Sequence, residues 1–382
     1  MADSTPSLSP ELLTALDASD ADPDRAWSLP PALYTDLEAF DVERDRIFRR
    51  GWVGIGRSDR WAVPHACSAV DIGGISVLIT RGDDAVLRAF ANVCRHRGAE
   101  LLVQESTCAR IRCPFHGWTY GLDGRLVSAP NMTRTEDFDR ADHGLHAFAV
   151  AERHGFAFVN LSNEPESIDD WTAGYGSIHA GWAVDSMVTT SRREFSVDCN
   201  WKLFAEVFNE YYHLPWVHPG SIDSTYCEPD APDVVDGAFA TQFGATDGTG
   251  GLLDDDADQA LPLIATLAGR EQAGVRYTWI YPNIVTAVGV ECMWMYEVYP
   301  DGPSRCRVAQ VVCFPAATVD RADFEDRAQA YYERFDVAIS EDVPVLERQQ
   351  AGLSSPFATA GRFSHLEPCV ALFGRWYGHR MR

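Results

Sequence analysis

Cys94-Arg95-His96 and, sixteen residues further on, Cys113-Pro114-Phe115-His116 restrict this 382-residue chain more than any other feature. Each short motif carries one thiol and one imidazole, so two facing loops would offer two of each to a metal group. A structural zinc site wants the same atoms, but zinc fingers usually set both cysteines together and both histidines together. Mixed pairs suit a [2Fe–2S] cluster better. Replacing two thiolates on one iron by neutral imidazoles removes negative charge and raises the potential above that of an all-cysteine centre, so the cluster can take an electron and pass it on.

A second constellation lies downstream. Asn200-Trp201-Lys202 opens a predicted helix running to Glu210-Tyr211-Tyr212-His213, followed by Leu214-Pro215-Trp216-Val217-His218. On such a helix Glu210 and His213 are an i, i+3 pair on one face, and Pro215 would end it and let His218 fold back toward His213. A distant carboxylate would complete a two-histidine, one-carboxylate triad with positions left open for O2 and substrate. A protein that only carried electrons, or sensed redox state, would leave this second set unexplained.

The stretches CRHRGAEL and CPFHGWTYGLDGRL resemble the two loops of a Rieske [2Fe–2S] domain, and the chain from its N-terminal arm to its last helix resembles the oxygenase (alpha) subunit of Rieske non-haem iron oxygenases. The resemblance implies that Cys94 and Cys113 hold one iron, that His96 and His116 hold the other, and that Gly98, Gly117 and Trp118 shape the loops. It implies a mononuclear non-haem Fe(II) held by His213, His218 and Asp342, favouring Asp342 over Glu341. It makes Glu210 a bridge, not a ligand, linking His116 of one chain to His213 of its neighbour in a head-to-tail homotrimer. Ring dioxygenases of the family usually carry Asp there; Glu resembles the carnitine and betaine oxygenases.

The implied fold class is α+β: an all-β Rieske domain over residues 46–165, after a helical arm over 1–45, then a helix-grip catalytic domain over 166–382 with an antiparallel sheet and long helices. Strand-like runs at 75–79, 86–90, 157–159, 275–281, 293–298 and 307–312 agree with this. A helix is expected over 323–339, broken or restarted at Pro344. The Gly- and Asp-rich stretch 228–258 reads as a loop, either a surface insertion or a lid.

The 56 acidic against 32 basic residues, net −24, argue against nucleic acid or an anionic membrane as partner. No apolar run spans a bilayer, and the N-terminus lacks the basic and apolar regions of a secretory signal, so a cytoplasmic protein is expected. Beyond the four cluster ligands and the iron pair His213 and His218, the other cysteines and histidines read as ordinary buried or structural residues. Gly54-Ile55-Gly56 is not a dinucleotide fingerprint, so electrons are expected from a separate NAD(P)H reductase, with or without a ferredoxin. Arg95, Arg97, Arg110 and Arg112 form a basic patch that either docks an acidic donor or compensates the cluster's charge.

Tyr277, Trp279 and Tyr281, and Trp294 with Tyr296, alternate along two strands and so share a face. Facing an iron pocket, they would hold a quaternary ammonium by cation–π contact. The expectation is a terminal oxygenase that hydroxylates a small organic substrate, N-demethylating a quaternary ammonium compound. The alternative is a ring-hydroxylating dioxygenase acting on an aromatic acid.

Overall fold

A computed structural model describes residues 7–223 and 225–382. The chain divides into two compact units. One comprises Phe48–Glu166; the other joins the chain up to Ile47 with Ser167–Arg382.

The first unit is all-β. A seven-stranded antiparallel sheet runs in the order Val53–Arg57, Phe156–Asn160, Ala147–Arg153, Leu87–Ala91, Ile75–Arg81, Ala66–Ile72, Ser106–Thr107. Ile111–Arg112, Thr119–Tyr120 and Leu126–Ser128 form a second, three-stranded sheet. Cys94 and Cys113 share an apolar cluster with Leu78, Phe90, Trp118 and Tyr120.

The second unit is an antiparallel six-stranded sheet gripped by helices. Its order is Met187–Val197, Cys306–Pro315, Met293–Pro300, Ile284–Val288, Gly274–Ile280, Phe239–Ala245. Tyr277 pairs with Ala287, and Ala287 with Trp294, while Trp279 pairs with Val285, and Val285 with Tyr296. The four aromatics therefore lie in two rows on one face. The helices close over it: Phe335 stacks on Trp294 with ring centroids 4.8 Å apart, and Phe373 on Trp279 at 3.9 Å.

The N-terminal arm is tied into this unit by one buried carboxylate. Glu43 accepts hydrogen bonds from Trp201 Nε1 at 2.5 Å, Lys202 Nζ at 2.5 Å and the Tyr377 hydroxyl at 2.7 Å. Removing one partner of such a buried pair strands the other charge and costs about 3–5 kcal/mol.

Three local expectations are corrected. The helix after Asn200 stops at Val207 instead of reaching His213. Asn209 turns its side-chain amide back to Ala205 O at 2.7 Å, and Tyr211 N–H goes to Leu366 O, so the backbone bonds that would continue the helix are diverted. Pro215 opens the short helix Leu214–Val217, where its missing N–H costs nothing. The helix expected to break at Pro344 runs through it, from Phe324 to Leu353, because packing of its buried face outweighs one lost backbone bond. The stretch 228–258 contains the edge strand Phe239–Ala245, with Gly250, Gly251 and Leu252 buried.

Candidate functional site

The two Cys-x-His and Cys-x-x-His motifs fold into near-identical loops. Cys94 N–H bonds Ala99 O at 2.8 Å and Gly98 N–H returns to Cys94 O at 3.0 Å; Cys113 N–H bonds Trp118 O at 2.8 Å and Gly117 N–H returns to Cys113 O at 3.2 Å. Each loop closes on a left-handed glycine, Gly98 at φ +74° and Gly117 at φ +72°, a conformation that a Cβ disfavours. The cysteines are buried and the histidines lie at the rim, His116 exposed and His96 half-buried.

Trp118 stacks on His96, with centroids 4.8 Å apart and planes 13° from parallel, and His96 and His116 meet edge to face at 4.7 Å. Desolvation, then the neighbouring His116 and Arg97, lowers the His96 pKa, favouring the neutral ring that metal ligation requires. His96 Nδ1 is buried without a hydrogen-bond partner, as a ligand atom would be. Tyr120 accepts Arg95 N–H at 3.0 Å and stands 3.4 Å from Cys94 Sγ, placed to donate to a thiolate.

In the second unit, metal-ligating atoms of His213, His218 and Asp342 all lie within 4.8 Å of one another. Asp342 Oδ1 is 3.1 Å from His218 Nε2 and 3.7 Å from His213 Nε2, and it is buried with no hydrogen-bond partner. Each histidine is turned by a carboxylate on its other nitrogen. Glu210 Oε1 lies 2.5 Å from His213 Nδ1, and Glu341 Oε2 lies 2.7 Å from His218 Nδ1 while accepting the Ser221 hydroxyl at 2.8 Å. Carboxylates so placed hold the Nδ1–H tautomers and leave both Nε2 lone pairs for a metal. Burial would lower the His213 pKa, but the Glu210 and Asp342 carboxylates overcome it and raise it.

The two neighbours that compete in the segment matching the family's third ligand thus occupy different places: Asp342 faces the Nε2 atoms and Glu341 the far side of His218. Sequence reasoning missed this orienting role of Glu341, although its position beside a candidate ligand was a signal. Glu210 and His213 meet without a helix between them, because the Glu210 carboxylate also accepts the Tyr212 and His213 N–H groups, and folds the turn around itself.

The cavity over these residues is narrow, about 40 Å³, and opens to solvent at one side. Val207, Phe208, Tyr211, Tyr277, Trp294 and Tyr296 line it with the ligand set, and so does Arg334. Of the predicted aromatic stripe, Tyr277 reaches the cavity. Trp279 and Tyr281 instead pack on Phe373 at 3.9 and 5.4 Å as core. Sequence reasoning also missed Arg334, one charge in a helical pattern with nothing local to mark it.

The four arginines around the cluster form no ion pair among the described residues. Arg95 Nη1 lies 2.8 Å from a His146 ring nitrogen, and Arg97 covers Phe115 at 5.3 Å. Among the described residues, no helix is long and apolar enough to cross a membrane. Of the other cysteines Cys227 is exposed, against expectation.

Together these features define a two-centre iron protein: a Rieske [2Fe–2S] domain, matched over residues 51–139, and the ring-hydroxylating alpha-subunit catalytic domain, matched over 179–382. The chain belongs to this family, whose cofactors are a [2Fe–2S] cluster and a mononuclear non-haem iron. It is 36% identical over 188 residues to the glycine betaine monooxygenase oxygenase subunit of Chromohalobacter salexigens, a match covering 49% of this chain and 42% of that one. It is 34% identical over 207 residues to the carnitine monooxygenase oxygenase subunit of Acinetobacter baumannii, covering 53% and 56%. The matches thus span about half the length of these relatives. The fold is shared with the solved quaternary ammonium Rieske monooxygenase CntA, at a TM-score of 0.82 and 23% identity over 98% of this chain and 99% of that one.

Proposed function

We propose that this chain is the terminal oxygenase of a multicomponent system that hydroxylates an N-methyl carbon of a quaternary ammonium substrate. One O2, two electrons and two protons give the N-hydroxymethyl compound and water; the carbinol then collapses to a tertiary amine, formaldehyde and a proton. The observation that carries the reading is the cavity in which His213, His218 and Asp342 converge beneath aromatic walls. The names of the relatives favour an ammonium substrate over an aromatic acid.

In this reading Cys94, Cys113, His96 and His116 hold the cluster, and His213, His218 and Asp342 hold the iron. When bound, the two groups supply single electrons and O2 activation. The chain's own contribution is positional. Glu341 and Glu210 hold the two imidazoles at fixed tautomers, and the rings of Tyr277, Tyr296, Phe208 and Tyr211 exclude water and offer π faces to a cation.

Glu210 also serves as the bridge between the iron ligand His213 of one chain and the cluster ligand His116 of its neighbour in a homotrimer. Exposed aromatics flank both ends: Phe115, 57% exposed, beside His116, and Tyr212 and Trp216, 53% and 78% exposed, beside His213. Two different apolar patches on one chain suit a head-to-tail ring. The unpaired arginines around the cluster suit docking of an acidic NAD(P)H-dependent reductase, or of a ferredoxin standing between it and the cluster.

The test is NADH-coupled O2 uptake with a surrogate reductase over glycine betaine, carnitine, choline and benzoates, with formaldehyde assayed. Formaldehyde in step with O2 on an ammonium substrate is expected. Turnover of aromatic acids alone would overturn the reading in favour of ring hydroxylation.

A further inference from the structure

Arg334 lies on the long helix Phe324–Leu353, eight residues before Asp342, so the two are separated by roughly 12 Å along the axis. It lines the same cavity as His213, His218 and Asp342, yet it is only 3% exposed. Its surroundings are aromatic: the guanidinium lies 5.2 Å from the Trp294 centroid and 5.3 Å from that of Phe335.

Ring faces can cover the plane of a guanidinium, but its five N–H donors lie along the edge. Among the described residues a single hydrogen bond is made there, from Nη2 to the Tyr226 hydroxyl at 2.6 Å. Tyr226 also receives the Tyr277 hydroxyl at 3.0 Å and directs its own proton to Gly250 O at 3.3 Å, so it is a neutral acceptor and no counter-ion. Arg334 Nε is buried with no partner, and among the described residues no carboxylate pairs with this cation.

A buried charge with one neutral partner is costly, and natural sites complete such a charge with an anion. Arginine is suited to the task because its planar fork meets a carboxylate with two parallel bonds. No carboxylate among the described residues supplies that anion, and the cavity is where a small molecule enters.

We propose that Arg334 anchors a substrate carboxylate, so that the pocket selects a zwitterion whose carboxylate lies on the guanidinium and whose N-methyl groups face His213, His218 and Asp342. The ammonium end of this assignment rests on the function proposed above; the carboxylate end does not. Arg334 already sits over Trp294, which leaves Tyr296, Phe208 and Tyr211 for the substrate's cation. A cation without a carboxylate meets an uncompensated positive charge and is disfavoured. Tyr226 acts as a positioning residue for the guanidinium.

The experiment is anaerobic titration calorimetry on the holoprotein with glycine betaine, carnitine, carnitine methyl ester, choline and benzoate. Hydrogen bonds to a charged group predict that the carboxylate-bearing ammonium compounds bind roughly 10- to 100-fold tighter than choline or the ester. In Arg334→Gln that preference collapses, while Arg334→Lys keeps part of it and Tyr226→Phe weakens it. Thermal melting and the cluster's visible absorption report whether each variant is folded. If Arg334→Gln does not fold, the wild-type contrast of carnitine with its methyl ester decides.

Equal binding of carnitine and its ester, or an unchanged preference in a folded Arg334→Gln protein, overturns the anchor while leaving the ammonium reading intact. Arg334-dependent binding of benzoate, with no ammonium compound bound, keeps the anchor and overturns the ammonium reading.

Discussion

The cluster loops take all four candidate ligands from one short stretch, Cys94 to His116, whereas the candidate iron ligands come from a turn at His213–His218 and from a helix more than a hundred residues further on. The loops fix their ligands by local backbone bonds and two left-handed glycines, and leave His116 at the surface. The iron site buries His218, leaves His213 half-buried and orients both with carboxylates. The difference follows the task. An electron can leave through an exposed ring edge, while O2 chemistry needs a cavity that excludes water.

The contrast is broken most severely by removing a ligand from each side. His213→Ala should abolish turnover and retention of the mononuclear iron with the visible spectrum of the cluster intact, whereas Cys113→Ser should erase that spectrum and leave the iron site able to bind metal. Iron analysis with visible absorption on both variants checks this, and loss of both signals in either would mean that the sites are not independent. Next in size, Glu210→Gln should retain both metals yet slow reoxidation of the reduced cluster by roughly 100-fold, read by stopped-flow absorption in the presence of substrate and O2.

Glu341→Gln should be milder, weakening iron affinity roughly tenfold. An amide oxygen can still accept from the His218 ring and the Ser221 hydroxyl, so only the charge is lost. Competition with a chelator measures it.

Stability should separate the units by pH. Burial raises the Glu206 and Glu291 carboxyls to about 7, despite the hydroxyls that hydrogen-bond them, and both lie in the catalytic unit. A raised carboxyl favours the folded state when protonated. Its contribution is therefore complete below the ordinary value of 4.5 and lost as pH rises through about 7, on the order of a few kcal/mol. The catalytic unit should melt at lower temperature at pH 8 than at pH 5.5, and Glu291→Gln should flatten that dependence; an unchanged slope in the variant would remove Glu291 as its cause. The smallest effect is expected in the Rieske unit, where Gly117→Ala forces a Cβ into a left-handed turn at about 1–2 kcal/mol, a drop of a few degrees in its melting.

Much of this was legible in the residues. The spacing of Cys94, His96, Cys113 and His116 identifies the cluster loops because their geometry is local, and the strands at 275–281, 293–298 and 307–312 follow from runs of β-branched and aromatic residues. The turn at Glu210 was not legible: its apolar spacing is helical, and only the side chains of Asn209 and Glu210 and the carbonyl of Leu366 divert the backbone. Nor was the continuity of the helix at Pro344, where burial of Phe335, Ala338, Asp342 and Leu346 on one face outweighs a single missing N–H.

Ligand type and short spacing along the chain mark the cluster loops and the histidine pair His213 and His218, because there the local backbone supplies the geometry. The tertiary structure alone sets which of two adjacent carboxylates faces His213 and His218, which aromatics line the cavity, and that Arg334 stands there with no carboxylate partner among the described residues. Those outcomes depend on how a sheet face and a distant helix meet, and contacts across so long a chain separation leave no pattern along the chain.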